Sequence, residues 1–172
     1  VGPALEKAVE LILTSQKSNT RGAWRYSPTS RDADTTVSGA QVVALLAARN
    51  AGIHVPDQAI EKALQFFRAC QGGDGAFGYT SASGHSAPRM AIGTLVFALS
   101  RRKQTKAFQA ALRNLQATPH QKAGSYLFYY MYYAAQAHFH GDMRGWQTWN
   151  VANVKLLAST QSMNGGWMGS HG

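Results

Sequence analysis

Cysteine is almost absent from this chain: Cys70 stands alone among 172 residues, which excludes an intrachain disulfide and a cysteine-rich zinc site. Acidic residues are also scarce, 8 against 17 Lys and Arg, for a net charge of +9. Such a balance raises phosphate-bearing ligands, anionic lipid surfaces and nucleic acid as partners. The cations are scattered, however, and the one run, Arg101-Arg102-Lys103, falls at an expected helix end, where cations offset the macrodipole. No basic segment is interleaved with aromatics, so nucleic acid is not an expected partner. With five prolines and no polar low-complexity tract, the composition belongs to a folded, soluble chain. A run of about 20 apolar residues, the length that spans a bilayer, is missing as well. No transmembrane segment is expected, which leaves peripheral membrane contact open. No signal peptide is expected in these residues, where an amphipathic helix is read from residue 3, and cytoplasmic and exported locations both fit.

What is present is periodic. Gln71, Gln116 and Gln161 each end a helix-like segment and are spaced 45 residues apart, and Gln16 lies 55 residues before Gln71. Each is followed by a glycine and an aromatic: Gly22 and Trp24, Gly75 and Phe77, Gly124 and Tyr126, Gly166 and Trp167. From Gln71 to Phe77 and from Gln161 to Trp167 the interval is six positions in both copies.

Two kinds of helix alternate between these marks. Segments 35–48, 90–100 and 123–137 carry no charge, so they are expected to be buried on nearly all sides. Segments 3–15, 57–70, 104–116 and 147–161 are amphipathic, as where Ile60, Ala63, Leu64 and Phe67 share one face while Asp57, Glu61, Lys62 and Arg68 lie on the other. Pro56-Asp57 marks a helix start and Gly52 a helix stop. The expectation is an all-α domain over residues 1–172, with about seven helices in alternating inner and outer layers.

A glutamine followed by glycine and Trp or Phe after an outer helix resembles the QW motif of squalene–hopene cyclases. The stretches GAWRYSP, DADTTVSGAQVVALLAARNAGI, DGAFGYT and YYAAQAHFHG are similar to an uncharacterised set of bacterial proteins built of prenyltransferase and squalene oxidase repeats. The resemblance implies an α/α toroid, and seven helices make it a partial ring. It implies that Gln16 with Trp24, Gln71 with Phe77 and Gln161 with Trp167 are structural clamps between repeats.

Two groups could carry chemistry. Asp32-Ala-Asp34-Thr35 precedes the first charge-free helix and resembles the DxDD motif of class II terpenoid cyclases, which implies Asp34 as proton donor with Asp32 beside it; Thr35 stands where the family has a third acid. An aspartate just before a helix also caps its free N–H groups, and that role competes with the first. The second group is aromatic: Tyr126, Phe128, Tyr129, Tyr130, Tyr132 and Tyr133, followed by His138, His140, Trp146 and Trp149. Tyr129, Tyr130, Tyr133, Trp146 and His138, with Arg89 on a neighbouring helix, are candidate ligand contacts, since ring faces attract cations and phenols need polar partners. Core packing is the competing reading for the same rings. His138, His140 and Asp142 fall short of a metal set. Gly72-Gly-Asp-Gly75 does not follow a strand and is no phosphate loop.

No metal and no cofactor are therefore expected. The leading functional expectation is a toroid that binds an apolar, isoprenoid-like molecule or a protein partner. The alternative is a class II cyclase-type enzyme. The zinc set of Asp, Cys and His that the protein prenyltransferases use has no counterpart, as Cys70 ends an outer helix.

Overall fold

The computed structural model describes residues 2–169. Among them the fold is all-α, with seven α-helices: α1 (Gly2–Ser18), α2 (Thr35–Asn50), α3 (Asp57–Ala69), α4 (Ala87–Leu99), α5 (Lys106–Gln116), α6 (Leu127–Gly141) and α7 (Met143–Thr160). A short 3-10 segment, His120–Tyr126, leads into α6.

Local chemistry sets the boundaries. Thr105 opens α5, its Oγ1 accepting from Phe108 N at 3.2 Å, and Asp142 opens α7, accepting from Arg144 N and Gly145 N at 3.2 and 3.1 Å. These caps move the two helix starts away from the expected positions 104 and 147. The expected helix over 123–137 also starts later, because Gly124 (φ 56°, ψ −134°) breaks the run ahead of Leu127. At the other ends, α2 and α4 close with the same pair of bonds. Gly52 N and Ile53 N donate to Arg49 O and Ala48 O, each at 3.0 Å, while Arg101 N and Arg102 N donate to Ala98 O (3.2 Å) and Phe97 O (2.9 Å). This motif needs a left-handed residue, supplied once by Gly52 (φ 88°) and once by Arg101 (φ 60°), where the side chain adds strain.

α2, α4 and α6 lie side by side, with α4 central, and α1, α3, α5 and α7 form a second row outside them. The starts of the inner helices gather at one end, where Thr36, Pro88 and Tyr129 line one groove. Their ends gather at the other, around Arg49, Leu99 and His140. The three inner helices therefore run parallel. The core is centred on Phe67, Phe77 and Phe97, whose rings pack at 6.1 and 5.8 Å between centroids. Each such ring contributes roughly 1.5–3 kcal/mol through burial.

Full burial of the charge-free helices holds for α4 alone. From Ala87 to Ala98 only Arg89 of α4 reaches solvent. α2 exposes Ala40, Ala44 and Ala47, and α6 exposes Phe128, Tyr129 and Tyr132. Each has an inner neighbour on one side only, so absence of charge marks membership of the inner row, not enclosure within it. α7 has no buried residue.

The loops leaving the outer helices share a geometry. Gln16 Nε2 donates to Gly22 O at 2.8 Å, Gln71 Nε2 to Gly75 O at 3.2 Å and Gln161 Nε2 to Gly165 O at 2.7 Å. The glycine is left-handed in all three, with φ of 67°, 88° and 82°. In the last copy the equivalent glycine is thus Gly165, one position before the expected Gly166. Gln16 and Gln71 also reach the next outer helix, donating to Ala59 O in α3 (2.8 Å) and Ala107 O in α5 (2.9 Å). Gln116 departs from the pattern and donates to the Asp142 carboxyl at 2.9 Å. Trp24 Nε1 donates to Ile12 O and Trp167 Nε1 to Leu157 O, both at 2.8 Å and both onto the residue four before the glutamine.

Gly75 is doubly constrained, since a Cβ there would lie 2.5 Å from Ala110 C in α5. Gly75→Ala is expected to lower unfolding stability by about 2–3 kcal/mol through left-handed strain and displacement of α5. Gly73→Ala, where a Cβ meets nothing within 4 Å, should change it by less than about 0.5 kcal/mol in the same urea titration.

Candidate functional site

A groove of about 700 Å³ opens where the N-terminal ends of α2, α4 and α6 converge. Its walls are aromatic and mostly apolar: Tyr126, Tyr129 and Tyr133 on the side of α6, Tyr26 and Tyr79 from the loops after α1 and α3, and Val37, Ala40 and Pro88 beneath them. Thr36, Ser86 and Arg89 are its polar members.

The loops are placed by the start of α2. Asp34 N donates to Trp24 O at 3.0 Å, Thr35 N to Tyr79 O at 2.9 Å and Thr35 Oγ1 to Gly78 O at 2.8 Å. Two residues beyond each core aromatic, Trp24 and Phe77, the chain delivers a tyrosine to the groove, and the Tyr26 and Tyr79 hydroxyls meet at 2.8 Å. Arg25 and Arg89 both lie over the Tyr79 ring, at 5.3 and 5.5 Å from its centroid. Tyr129 and Tyr133 pack edge to face at 5.0 Å.

Burial raises the Tyr79 phenol to about 12, reinforced by its bond to Tyr26 and by the nearby Asp34. Burial also pushes up Tyr129, with Tyr133 and Asp34 adding to it, and Tyr133 moves the same way for the same first reason. At neutral pH Tyr79, Tyr129 and Tyr133 keep their protons and present hydroxyls and ring faces to the groove.

The expected contacts divide. Tyr129, Tyr133 and Arg89 line the groove. Arg89 is steadied by a 2.6 Å bond from Nη2 to Gly84 O. Tyr130, one position and about 100° around α6 from Tyr129, is fully buried, and its hydroxyl donates to Thr118 O at 3.1 Å. Trp146 packs on Phe139 at 5.5 Å, away from the groove. His138 lies in the seam between α6 and α7, where Trp149 is stacked between His138 (5.2 Å) and His120 (5.0 Å). Tyr26 and Tyr79 were not among the expected contacts, although the shared aromatic–x–Tyr spacing after Gly22 and Gly75 carries the signal.

The acidic pair is separated in role. Asp34 is fully buried and caps α2: Oδ1 accepts from Thr36 N (2.8 Å), Val37 N (2.9 Å) and Thr36 Oγ1 (2.5 Å), while Oδ2 has no partner among the described residues. The Asp32 side chain is 65% exposed and pairs with Arg25 at 3.1 Å. Among the described residues no group of three or more His, Cys, Asp or Glu side chains could hold a metal. No helix of the described residues is long and apolar enough to cross a membrane. No known family model matches this sequence, and no curated protein matches it.

Removing the Asp34 cap by Asp34→Ala is expected to cost about 1–2 kcal/mol of stability, whereas Asp34→Asn, which keeps an acceptor for Thr36 and Val37, should stay within about 0.5 kcal/mol, both read from denaturant midpoints. The seam gives a pH dependence. Burial, with His120 beside it, lowers the His138 imidazole to about 4, and Asp142 opposes only in part. The folded state thus excludes a proton that the unfolded chain binds below its ordinary value of 6.5. The stabilisation is complete above that value and is lost as pH falls towards 4. The loss attributable to His138 should be on the order of 3 kcal/mol between pH 7 and 4, and His138→Phe should remove that part of the slope.

Proposed function

We propose that this chain is part of an α/α toroid of the terpenoid-cyclase and prenyltransferase-repeat type, and that its tyrosine-lined groove binds an apolar, isoprenoid-like molecule without transforming it. The observation that carries the reading is the groove itself. Neutral phenols and ring faces converge over an apolar floor at the N-terminal mouth of the inner row, in a volume suited to a small ligand. Hydroxyls and Arg89 at the rim suit a single polar end group. The alternating rows and the three glutamine–glycine–aromatic loops support the toroid-repeat part.

Binding is favoured over class II cyclisation for a specific reason. Proton donation to an alkene calls for acids that share or support a proton, whereas Asp34 is engaged as a helix cap and Asp32 is turned to Arg25 at the surface.

The test is titration of the chain with a neutral linear isoprenoid alcohol, followed by calorimetry. Tyr129→Ala is expected to weaken binding about tenfold, while Val151→Ala, at an exposed position on α7 outside the groove, leaves it unchanged. Equal affinity of both variants and the parent, or no binding by the parent, would overturn the reading. Appearance of cyclised product that Asp34→Asn abolishes would replace it with the enzymatic one.

A further inference from the structure

A second cavity, of about 740 Å³, opens at the opposite mouth of the inner row, where α2 and α4 end beside the start of α3. Its apolar lining includes Val43, Leu46, Ile60 and Leu99, and its polar wall is basic. Arg49, Arg101 and Arg102 stand there with two carboxylates, Asp57 and Glu61, which leaves one positive charge uncompensated.

The donors of that wall are only partly used. Arg49 binds Asp57 through Nη1 at 2.9 Å, and Arg102 binds Glu61 through Nη2. Arg49 Nε and Nη2, Arg102 Nε and Ser100 Oγ are buried with no hydrogen-bond partner among the described residues. Nε and Nη2 form one edge of a guanidinium, two parallel N–H groups spaced to meet both oxygens of a carboxylate. Buried donors without acceptors are costly, above all charged ones, and here they gather on three residues of a single wall. The helix ends do not supply the acceptors. Ala47, Ala48 and Arg49 carbonyls accept from the turn after α2, and Val96, Phe97 and Ala98 carbonyls from the turn after α4.

Arg101 adds the third cation against the preference of its backbone. It holds the left-handed position (φ 60°) that Gly52 fills at the end of α2, and its exposed side chain makes no ion pair among the described residues. A side chain kept where glycine is the unstrained choice marks a position with a task beyond closing the helix.

We infer that this cavity binds a small apolar carboxylic acid as its monoanion. The carboxylate takes the Nε–Nη2 edge of Arg49, with Arg102 Nε and Ser100 Oγ as further donors, and the hydrocarbon lies on Val43, Leu46 and Leu99. One uncompensated positive charge matches a monoanion, whereas a phosphate dianion would leave the wall negative. The Arg49 edge is closed to water as the side chain stands. Because Asp57 is 91% exposed, turning that edge into the cavity breaks one surface ion pair of little strength. The site lies at the other mouth from the tyrosine groove and does not rest on what the groove binds.

Hexanoate titrated into the full chain, followed by the arginine Nε–H signals in NMR and by calorimetry, tests this. The Arg49 Nε–H signal, identified by its loss in Arg49→Lys, is expected to move saturably. Arg49→Lys keeps the charge and loses the fork, and should weaken hexanoate at least tenfold. Hexanol and inorganic phosphate should each bind at least tenfold more weakly than hexanoate. Arg101→Gly should weaken hexanoate roughly threefold while raising the urea midpoint, because it removes a cation and left-handed strain together. Tyr129→Ala should leave hexanoate binding unchanged. A parent chain that does not bind hexanoate, or Arg49→Lys binding as the parent does, overturns the proposal. Phosphate or hexanol of equal affinity overturns the choice of a carboxylate, and weakening by Tyr129→Ala moves hexanoate to the groove and overturns the site.

Discussion

At two joints between outer helices, α1 to α3 and α3 to α5, a glutamine carboxamide at the end of one helix holds the first turn of the next. Gln71 donates at once to Gly75 in its own loop and to Ala107 in the first turn of α5, and Gln16 does the same between Gly22 and Ala59 of α3. One side chain thus fixes a loop and a helix–helix register together, and both of its acceptors are backbone carbonyls that need partners when buried. The geometry works only because the glycine is left-handed and, at Gly75, because the missing side chain lets the loop rest on the backbone of α5. With the loop so placed, Phe77 drops into the core against α4, at a point where Gly93 leaves room for its ring.

The groove is built from the same loops. The chain leaves the core at Trp24 and Phe77 and reaches the mouth two residues later at Tyr26 and Tyr79, tied down on the way by Asp34 and Thr35. The cap of α2 therefore does more than satisfy two N–H groups. It anchors the strips of backbone that carry two of the five groove tyrosines. Helix register supplies two more: Tyr129 and Tyr133, four apart on α6, face the mouth, while Tyr130 faces the core.

Much of this was legible in the sequence because it is periodic. Charge content separated α2, α4 and α6 from their amphipathic partners, and the glutamine spacing located the loops. Boundaries were read less well where a single polar cap, Thr105 or Asp142, outweighed the apolar pattern, and where Gly124 interrupted it. The site was only partly legible, for a geometric reason. Consecutive aromatics point around the whole circumference of a helix, so the run from Tyr126 to Tyr133 names too many candidates on α6, whereas Tyr26 and Tyr79 are marked only by standing two residues beyond a core aromatic in their loops. His138 and Trp146 follow the run in sequence but belong to the seam with α7, because a turn of helix carries them past the mouth.

In the loops the residues that line the groove are tied to the same backbone that holds the fold, whereas on α6 they are not. A change that loosens the Gln71–Gly75 bond shifts Phe77 and, through the backbone of Gly78 and Tyr79, shifts Thr35 and the start of α2 as well. Tyr129 is different: it is 40% exposed, packs chiefly on Tyr133, and can be removed without disturbing a clamp. The shape of the groove is thus held on one side by loops that are hydrogen-bonded to the start of α2, and on the other by α6 side chains that pack on each other.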